Sequence, residues 1–378
     1  MIPLSEPNIE ESAWMNIQDC LSTGWVSSAG SYVDKFEQLV ARYCNCRHAV
    51  ATVNGTSALH IALLLSNVRQ GEYVITSNVT FVATANAIKY TGADPIFIDI
   101  DRETWQMNLD LLEAFLKNNT VQKNGRLYHK NGRAISVIIP VHVLGNICDM
   151  DRLKSICDEF KVQLVEDAAE SLGSKYNGVH AGTLGSIGCL SFNGNKIITT
   201  GGGGMILTND EELAVRAKHL TTQAKSDPLT YFHDEIGYNY RMVNILAALG
   251  VSQMESLDKF IDTKRKINNY YTDKLSQIND ITFQKIGSDV ETNYWLYTIL
   301  SKQQCELSAY LQMNEISCRP LWTPMNRLPM FKKDIYINDR DCSYSIHSKS
   351  LSLPSSSSIS TTELDSVINR IHQFYSNR

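Results

Sequence analysis

One lysine stands where an amine nucleophile could be made. In Cys189-Leu-Ser-Phe-Asn-Gly-Asn-Lys196-Ile-Ile-Thr-Thr-Gly-Gly-Gly-Gly204 a short apolar run leads into a polar turn, and four glycines follow. A lysine held at a strand end can be desolvated, which lowers its pKa and makes the free amine available. Consecutive glycines suit a main chain that something must approach closely. The plainer reading is a solvated loop lysine beside a flexible hairpin.

Other stretches offer complementary chemistry. Ala49-Val-Ala-Thr-Val53 reads as a strand, and Asn54-Gly55-Thr56-Ser57-Ala58 turns from it into an apolar helix ending near Leu65. Free N–H groups and two hydroxyls at a positive helix end form an anion site suited to phosphate; ordinary N-capping reads equally well there. Val162-Gln-Leu-Val-Glu-Asp167 is an apolar run ending in two acids, followed by Ala-Ala-Glu170-Ser171. An acid at the carboxyl end of a strand can hold a cationic ring nitrogen or a metal, or can cap a helix. Phe81 follows the strand Tyr73-Val-Ile-Thr-Ser77, either as core or as a flat surface for a ring.

These pieces need a scaffold that gathers strand ends. Tyr73–Ser77, a helix over Val82 to Tyr90, and the strand Pro95 to Ile100 make a βαβ unit and imply a parallel sheet. The alternation resumes with Ala134 to Val143, a helix from Met150 to Phe160, and the acid-tipped strand. A return strand, Met205 to Thr208, and a helix, Glu211 to Leu220, follow the glycines. The segment up to about Tyr43 is expected at the periphery, with Val33, Phe36, Leu39 and Val40 on one helix face. Asn118 to Arg133 is polar and expected as an exposed excursion.

From about Ser252 the character changes to long polar helices, in which Lys264-Arg265-Lys266 reads as a solvated face. Ser352 to Ser360 reads as a loop, and Ser360-Thr-Thr-Glu363 as a capping box opening a last amphipathic helix. The expected division is a large domain over 1–250 and a smaller α/β domain over 251–378, without internal repeats.

The totals fit this picture. At 378 residues the chain has room for two or three domains, and a net charge of -5 gives no electrostatic reason for nucleic acid or an anionic membrane. The N-terminus shows no basic and apolar pair of regions, so a cytoplasmic protein is expected. Nine scattered cysteines fit reduced thiols. Cys44, Cys46 and His48 lack a second ligand pair at zinc-site spacing, so no metal is expected.

Together, a phosphate turn (Gly55, Thr56, Ser57), an aromatic (Phe81), an acid (Asp167), a hydroxyl (Ser191) and a lysine (Lys196) meet the needs of pyridoxal phosphate. That cofactor requires an anion pocket, a lysine for its aldehyde and a carboxylate for its ring nitrogen. The chain also resembles the DegT/DnrJ/EryC1/StrS sugar aminotransferases nearly end to end. The resemblance lies in Gly24-Trp-Val-Ser-Ser-Ala-Gly30, Val53-Asn-Gly-Thr-Ser-Ala-Leu59, Thr80 to Ala87, Glu166-Asp-Ala-Ala-Glu170, Ser191-Phe-Asn-Gly-Asn-Lys196, Gly237-Tyr-Asn-Tyr-Arg-Met242 and Leu351-Ser-Leu-Pro354.

The resemblance implies the aspartate-aminotransferase fold (fold type I) and an internal aldimine on Lys196, with Asp167 at the pyridinium nitrogen. Thr56, Ser57 and Ser191 would hold the phosphate, and Phe81 would stack on the ring. Asn239 would reach the cofactor phosphate of a neighbouring subunit in a homodimer with shared sites. Many relatives have glutamine where this chain has Glu170, at the cofactor's 3-oxygen, and a carboxylate there would repel a phenolate unless one is protonated. The dehydratase branch carries histidine in place of the lysine, so Lys196 argues for amination.

The expected reaction moves an amino group from L-glutamate to C4 of a nucleotide-linked 4-keto-6-deoxy sugar. Resemblance outside the cofactor motifs, in Gly24 to Gly30, Ser191 to Gly204 and Arg319 to Pro324, points to a UDP-linked N-acetyl sugar of the bacillosamine or legionaminic acid type. The alternatives are a GDP-linked, perosamine-type substrate and a non-catalytic regulator that binds the cofactor or a nucleotide sugar.

Overall fold

The computed structural model describes residues 1–227 and 229–376. Its centre is a large mixed sheet. Its strands run, from one edge, His48–Thr52, Gly204–Thr208, Ile187–Ser191, Gln163–Asp167, Ala134–Ile139, Tyr73–Ser77, Asp94–Ile98 and Ile335–Ile337. Gly204–Thr208 is antiparallel to both neighbours, while the strands from Ile187–Ser191 to the far edge pair in parallel. A parallel sheet is covered on both faces, so its strands read as continuous apolar runs. Tyr73–Ser77 and Gly204–Thr208 are buried at every position.

Two apolar layers sandwich the sheet. One is built on Val33, Phe36, Trp105, Leu112, Phe115 and their neighbours. The other is built on the helix Gly55–Leu65 with Ile88, Val137, Val165 and Ile206. The helix starts follow their caps: the Asn54 side chain accepts from the Ser57 N–H, Asp149 from Arg152 and Asp210 from Leu213. Most predicted elements lie within one or two residues of their expected bounds, and Met150–Phe160 matches fully.

A third core, around Tyr271, Ile299, Leu311, Leu351 and Ile371, lies under the three-stranded sheet Thr282–Phe283, Tyr297–Leu300, Ser350–Leu353. The capping box forms: Ser360 N–H donates to Glu363, and Glu363 N–H donates back to the Ser360 hydroxyl. The helix it opens, Thr361–Ser376, buries Leu364, Val367, Ile368, Ile371 and Phe374.

Several expectations need correction. The polar stretch Asn118–Arg133 is a hairpin, Thr120–Lys123 with Arg126–His129, and its second arm pairs with Ala134–Ile139. The excursion is exposed as expected over 121–126 and 130–132; what polarity did not show is that its backbone is paired. Ser352 lies inside a strand, and Ser355 and Ser356 are buried. Lys264 is not solvated but almost wholly buried, unlike its neighbours in the basic triplet. The chain beyond 250 also returns to the large sheet, because Ile335–Ile337 pairs with Ile96–Ile98. Among the described residues no helix is long and apolar enough to cross a membrane.

Candidate active site

The carboxyl ends of the central strands converge on a cavity of about 480 Å³. Gly55, Thr56, Phe81, Asp167, Glu170, Ser191 and Lys196 all line it. The turn after Ile187–Ser191 sets the lysine in place: its N–H bonds the Asn193 carbonyl at 3.0 Å, and its side chain turns back beneath Trp295. Lys196 Nζ lies 3.8 Å from Glu170 Oε1 and 4.0 Å from the centre of the Trp295 ring. Burial pushes its pKa down, and the Glu170 and Asp167 carboxyls oppose that shift.

Asp167 ends its strand with both oxygens engaged. The Thr84 hydroxyl donates to Oδ2 at 2.6 Å and the Ala169 N–H donates to Oδ1 at 3.1 Å. Burial raises its pKa, while Thr84, the Ala169 N–H and Lys196 pull it back. A cation docked against this carboxylate would complete the compensation that a buried charge requires.

Glu166, its neighbour, serves the fold instead. It accepts from the backbone N–H groups of Gly182, Leu184 and Gly185 and contacts His142 Nε2 at 3.0 Å. Alternation along a strand sends the two acids to opposite faces.

Glu170 is a third case. The Leu144 N–H donates to its Oε2 at 2.9 Å. Burial pushes its pKa up to about 7, against the pull of Lys196 and the Leu144 N–H.

The anion end of the cavity is the start of the helix Gly55–Leu65, where Gly55 packs against Ser191. A side chain at Gly55 would come within 3.0 Å of Ser191 Cβ, so glycine keeps the two walls together. Among the described residues the Thr56 and Ser191 hydroxyls have no protein partner, which fits a phosphate site. Ser57 stands one step back, outside the lining, with its N–H taken by Asn54. Asn239 is exposed and also lies outside this cavity.

Two of the four glycines, Gly203 and Gly204, are held by close packing against the protein's own chain, while Gly201 adopts a positive φ of 79° and Gly202 has room for a side chain. A side chain at Gly203 would strike Thr200 and Met242, and one at Gly204 would strike the Asn54 backbone. Of the four, Gly203 alone also lines the cavity. The Cys44 thiol faces His180 at 3.7 Å, and the Cys46 thiol donates to the His48 carbonyl.

The outer wall is made by Leu4, Trp295, Leu296, Leu321, Trp322 and Ser352; sequence reasoning reached Leu321, Trp322 and Ser352 only through resemblance and missed Leu4, Trp295 and Leu296. Trp295 and Trp322 stack with ring centres 6.3 Å apart, and the Trp295 indole N–H bonds the Asn195 carbonyl at 2.6 Å. The aromatic-rich Tyr294-Trp-Leu-Tyr was the trace of Trp295 and Leu296 in the sequence.

An amine, a buried acid at the ring end and unpartnered hydroxyls at a helix start fit pyridoxal phosphate. Comparison with known proteins agrees. Over 380 residues the chain is 36% identical to a GDP-perosamine synthase of Escherichia coli O157:H7, covering 100% of this chain and 99% of that protein. A GDP-perosamine synthase of Vibrio cholerae is 33% identical, with 99% of each chain covered. The crystal structure of a DegT DnrJ EryC1 StrS aminotransferase from Brucella abortus superimposes with a TM-score of 0.89 at 28% identity, over 96% of this chain and 95% of that one. These matches confirm fold type I. The DegT/DnrJ/EryC1/StrS aminotransferase family model matches residues 7–372, so the chain belongs to that family and is a pyridoxal-phosphate-dependent sugar aminotransferase.

Proposed function

We propose that this aminotransferase moves an amino group from L-glutamate to C4 of a GDP-linked 4-keto-6-deoxy sugar, in perosamine-type glycan synthesis. The full-length identity to two GDP-perosamine synthases carries this reading. It replaces the UDP-linked N-acetyl sugar expected above, for which none of the relatives named here speaks. The cofactor motifs serve every member of the family, so they could not make the distinction.

Within the cavity, Thr56 and Ser191, with the N–H groups at the helix start, hold the cofactor's phosphate. Asp167 pairs with the ring nitrogen, and Thr84 steadies it. Phe81, 53% exposed at the cavity, offers its face to the ring. Bound there, pyridoxal phosphate supplies an electron sink that stabilises negative charge on the carbon next to the transferred nitrogen. Lys196 would anchor the cofactor's aldehyde, and its Nζ is the base placed to move a proton at the glutamate Cα. The same Nζ would move a proton at sugar C4 when the amino group passes to the sugar; 2-oxoglutarate leaves earlier, when glutamate gives up its amino group.

Glu170 answers the difficulty raised by its carboxylate. Held neutral to about pH 7 by burial, it can donate a hydrogen bond to the 3-oxygen, as glutamine would.

Asn239 fits a shared site in a homodimer. Its segment carries Tyr231, Phe232 and Ile236, all strongly exposed, an apolar surface that a second copy would cover.

The deciding experiment is a panel of GDP-, UDP- and dTDP-linked 4-keto-6-deoxy sugars with L-glutamate, following amine formation on the sugar. The highest kcat/KM is expected for the GDP sugar. A UDP-linked N-acetyl sugar turning over faster would refute the substrate and leave the aminotransferase standing.

A further inference from the structure

The helix Leu257–Leu275 carries a lysine in an unusual place. Lys264 is only 4% exposed, and its Nζ donates to the carbonyl of Trp295 at 2.8 Å and to that of Ser355. No carboxylate among the described residues lies within ion-pair distance of it. Burial alone pulls its pKa down to about 7. A buried ammonium without a counter-charge is costly, and an apolar side chain of similar volume is often at least as stable. Stability of the fold therefore gives no reason for lysine here.

Its two partners do give one. Trp295 is the residue whose indole faces Lys196, and its backbone N–H donates to the Asn293 side-chain oxygen. Ser355 receives the Tyr297 N–H on its hydroxyl, and its own N–H donates to the carbonyl of Leu4, another lining residue. One amino group thus ties together the peptide that carries the indole and the loop that holds the N-terminal arm.

We propose that Lys264 is a positioning residue of the cofactor cavity: by tying the Trp295 and Ser355 carbonyls it holds the Trp295 indole against Lys196. This rests on the reading of Lys196 as the cofactor-anchoring amine. The π face of an indole favours a cation beside it. With the tie loosened, the charged form of the Lys196 nitrogen loses that support, while the facing Asp167 and Glu170 carboxyls stay as they are. The Lys196 nitrogen then gives up its proton at lower pH.

The test uses the holoenzyme and reads the pH midpoint at which the cofactor's visible band changes, beside kcat and KM. Lys264→Met, matched in volume, is expected to lower the midpoint by about half to one pH unit, a ~threefold to tenfold change in proton affinity. It should lower kcat more than it raises the KM for L-glutamate. Lys264→Gln, shorter and able to reach one carbonyl, should shift the midpoint about half as far. Tyr271→Phe is the control: on the same helix, it removes a 2.8 Å bond to the Pro354 carbonyl without touching Trp295. It should lower thermal stability and leave the midpoint alone.

A folded Lys264→Met with the wild-type midpoint overturns the proposal, as does an equal shift in Tyr271→Phe. If the methionine variant does not fold, an unshifted Lys264→Gln overturns it and a shifted one supports it. A wild-type protein without a cofactor band that borohydride fixes to Lys196 would instead sink the reading of Lys196.

Discussion

Replacing Thr84 by valine removes one atom's chemistry and little volume. Thr84 is 1% exposed, in the first turn of the helix Ala83–Tyr90, and its hydroxyl lies 2.6 Å from Asp167 Oδ2. The carboxylate keeps only the Ala169 N–H as a further donor. A hydrogen bond to a charged group contributes about 1.5–3 kcal/mol, and all of it is lost when an apolar group takes the donor's place. If Asp167 must stay ionised to hold the ring nitrogen's proton, that energy is withdrawn from the reactive state. At about 1.4 kcal/mol per factor of ten, kcat/KM should fall roughly ten- to hundredfold. The Thr80 hydroxyl, which bonds Thr84 at 2.8 Å, keeps the Phe81 carbonyl, so little else is disturbed. Single-turnover decay of the visible cofactor band with L-glutamate isolates the half-reaction concerned. Thr84→Ser, which restores the hydroxyl, should recover most of the rate. A Thr84→Val enzyme within threefold of wild type would refute the idea that Asp167 is held ionised by this bond.

Lys196→Ala should show no turnover and no cofactor fixed to the protein by borohydride; either signal at wild-type level would remove the lysine from its role. Glu170 carries a pH signature: its folded pKa, raised from 4.5 to about 7, means the folded protein binds the extra proton between those values. Stability therefore falls as pH rises through that window and the loss is complete above it. The Tm of cofactor-free Glu170→Gln should drop less between pH 5 and pH 8 than that of wild type, and an equal drop would speak against a buried neutral carboxyl. Mixing Lys196→Ala with an impaired Asn239→Ala protein should restore part of the activity in exchanged dimers. No recovery, with exchange demonstrated, argues for self-contained sites.

The inner half of the site was legible because it sits where sequence and structure are tied most tightly. Lys196, Asp167, Gly55 and Thr56 each stand at the end of a short apolar strand, and a parallel sheet brings such ends together whatever the loops do. Thr84 escaped notice because a threonine in a first helical turn ordinarily serves the helix. Lys264 was misread because polar spacing shows only which side of a helix is charged. It does not show that a loop from ninety residues later closes over that side. Trp295 and Leu4 belong to walls assembled across long sequence separations, where local pattern is silent. The nucleotide preference lay outside the cofactor motifs altogether.

The strand Ile335–Ile337 has a consequence for how the chain is made. It closes the outer edge of the large sheet, and the Asp99 carboxylate just beyond that edge accepts from the Cys342 and Ser343 N–H groups. A ribosome delivers Asp94–Ile98 some 240 residues before the strand that covers it. At about 5–20 residues per second the nascent sheet carries a bare, apolar margin for roughly ten seconds or longer. An unpaired strand edge is a template for pairing with other chains. Messages cut short before codon 335 should thus yield insoluble product even though the cofactor lysine and both site acids have been synthesised.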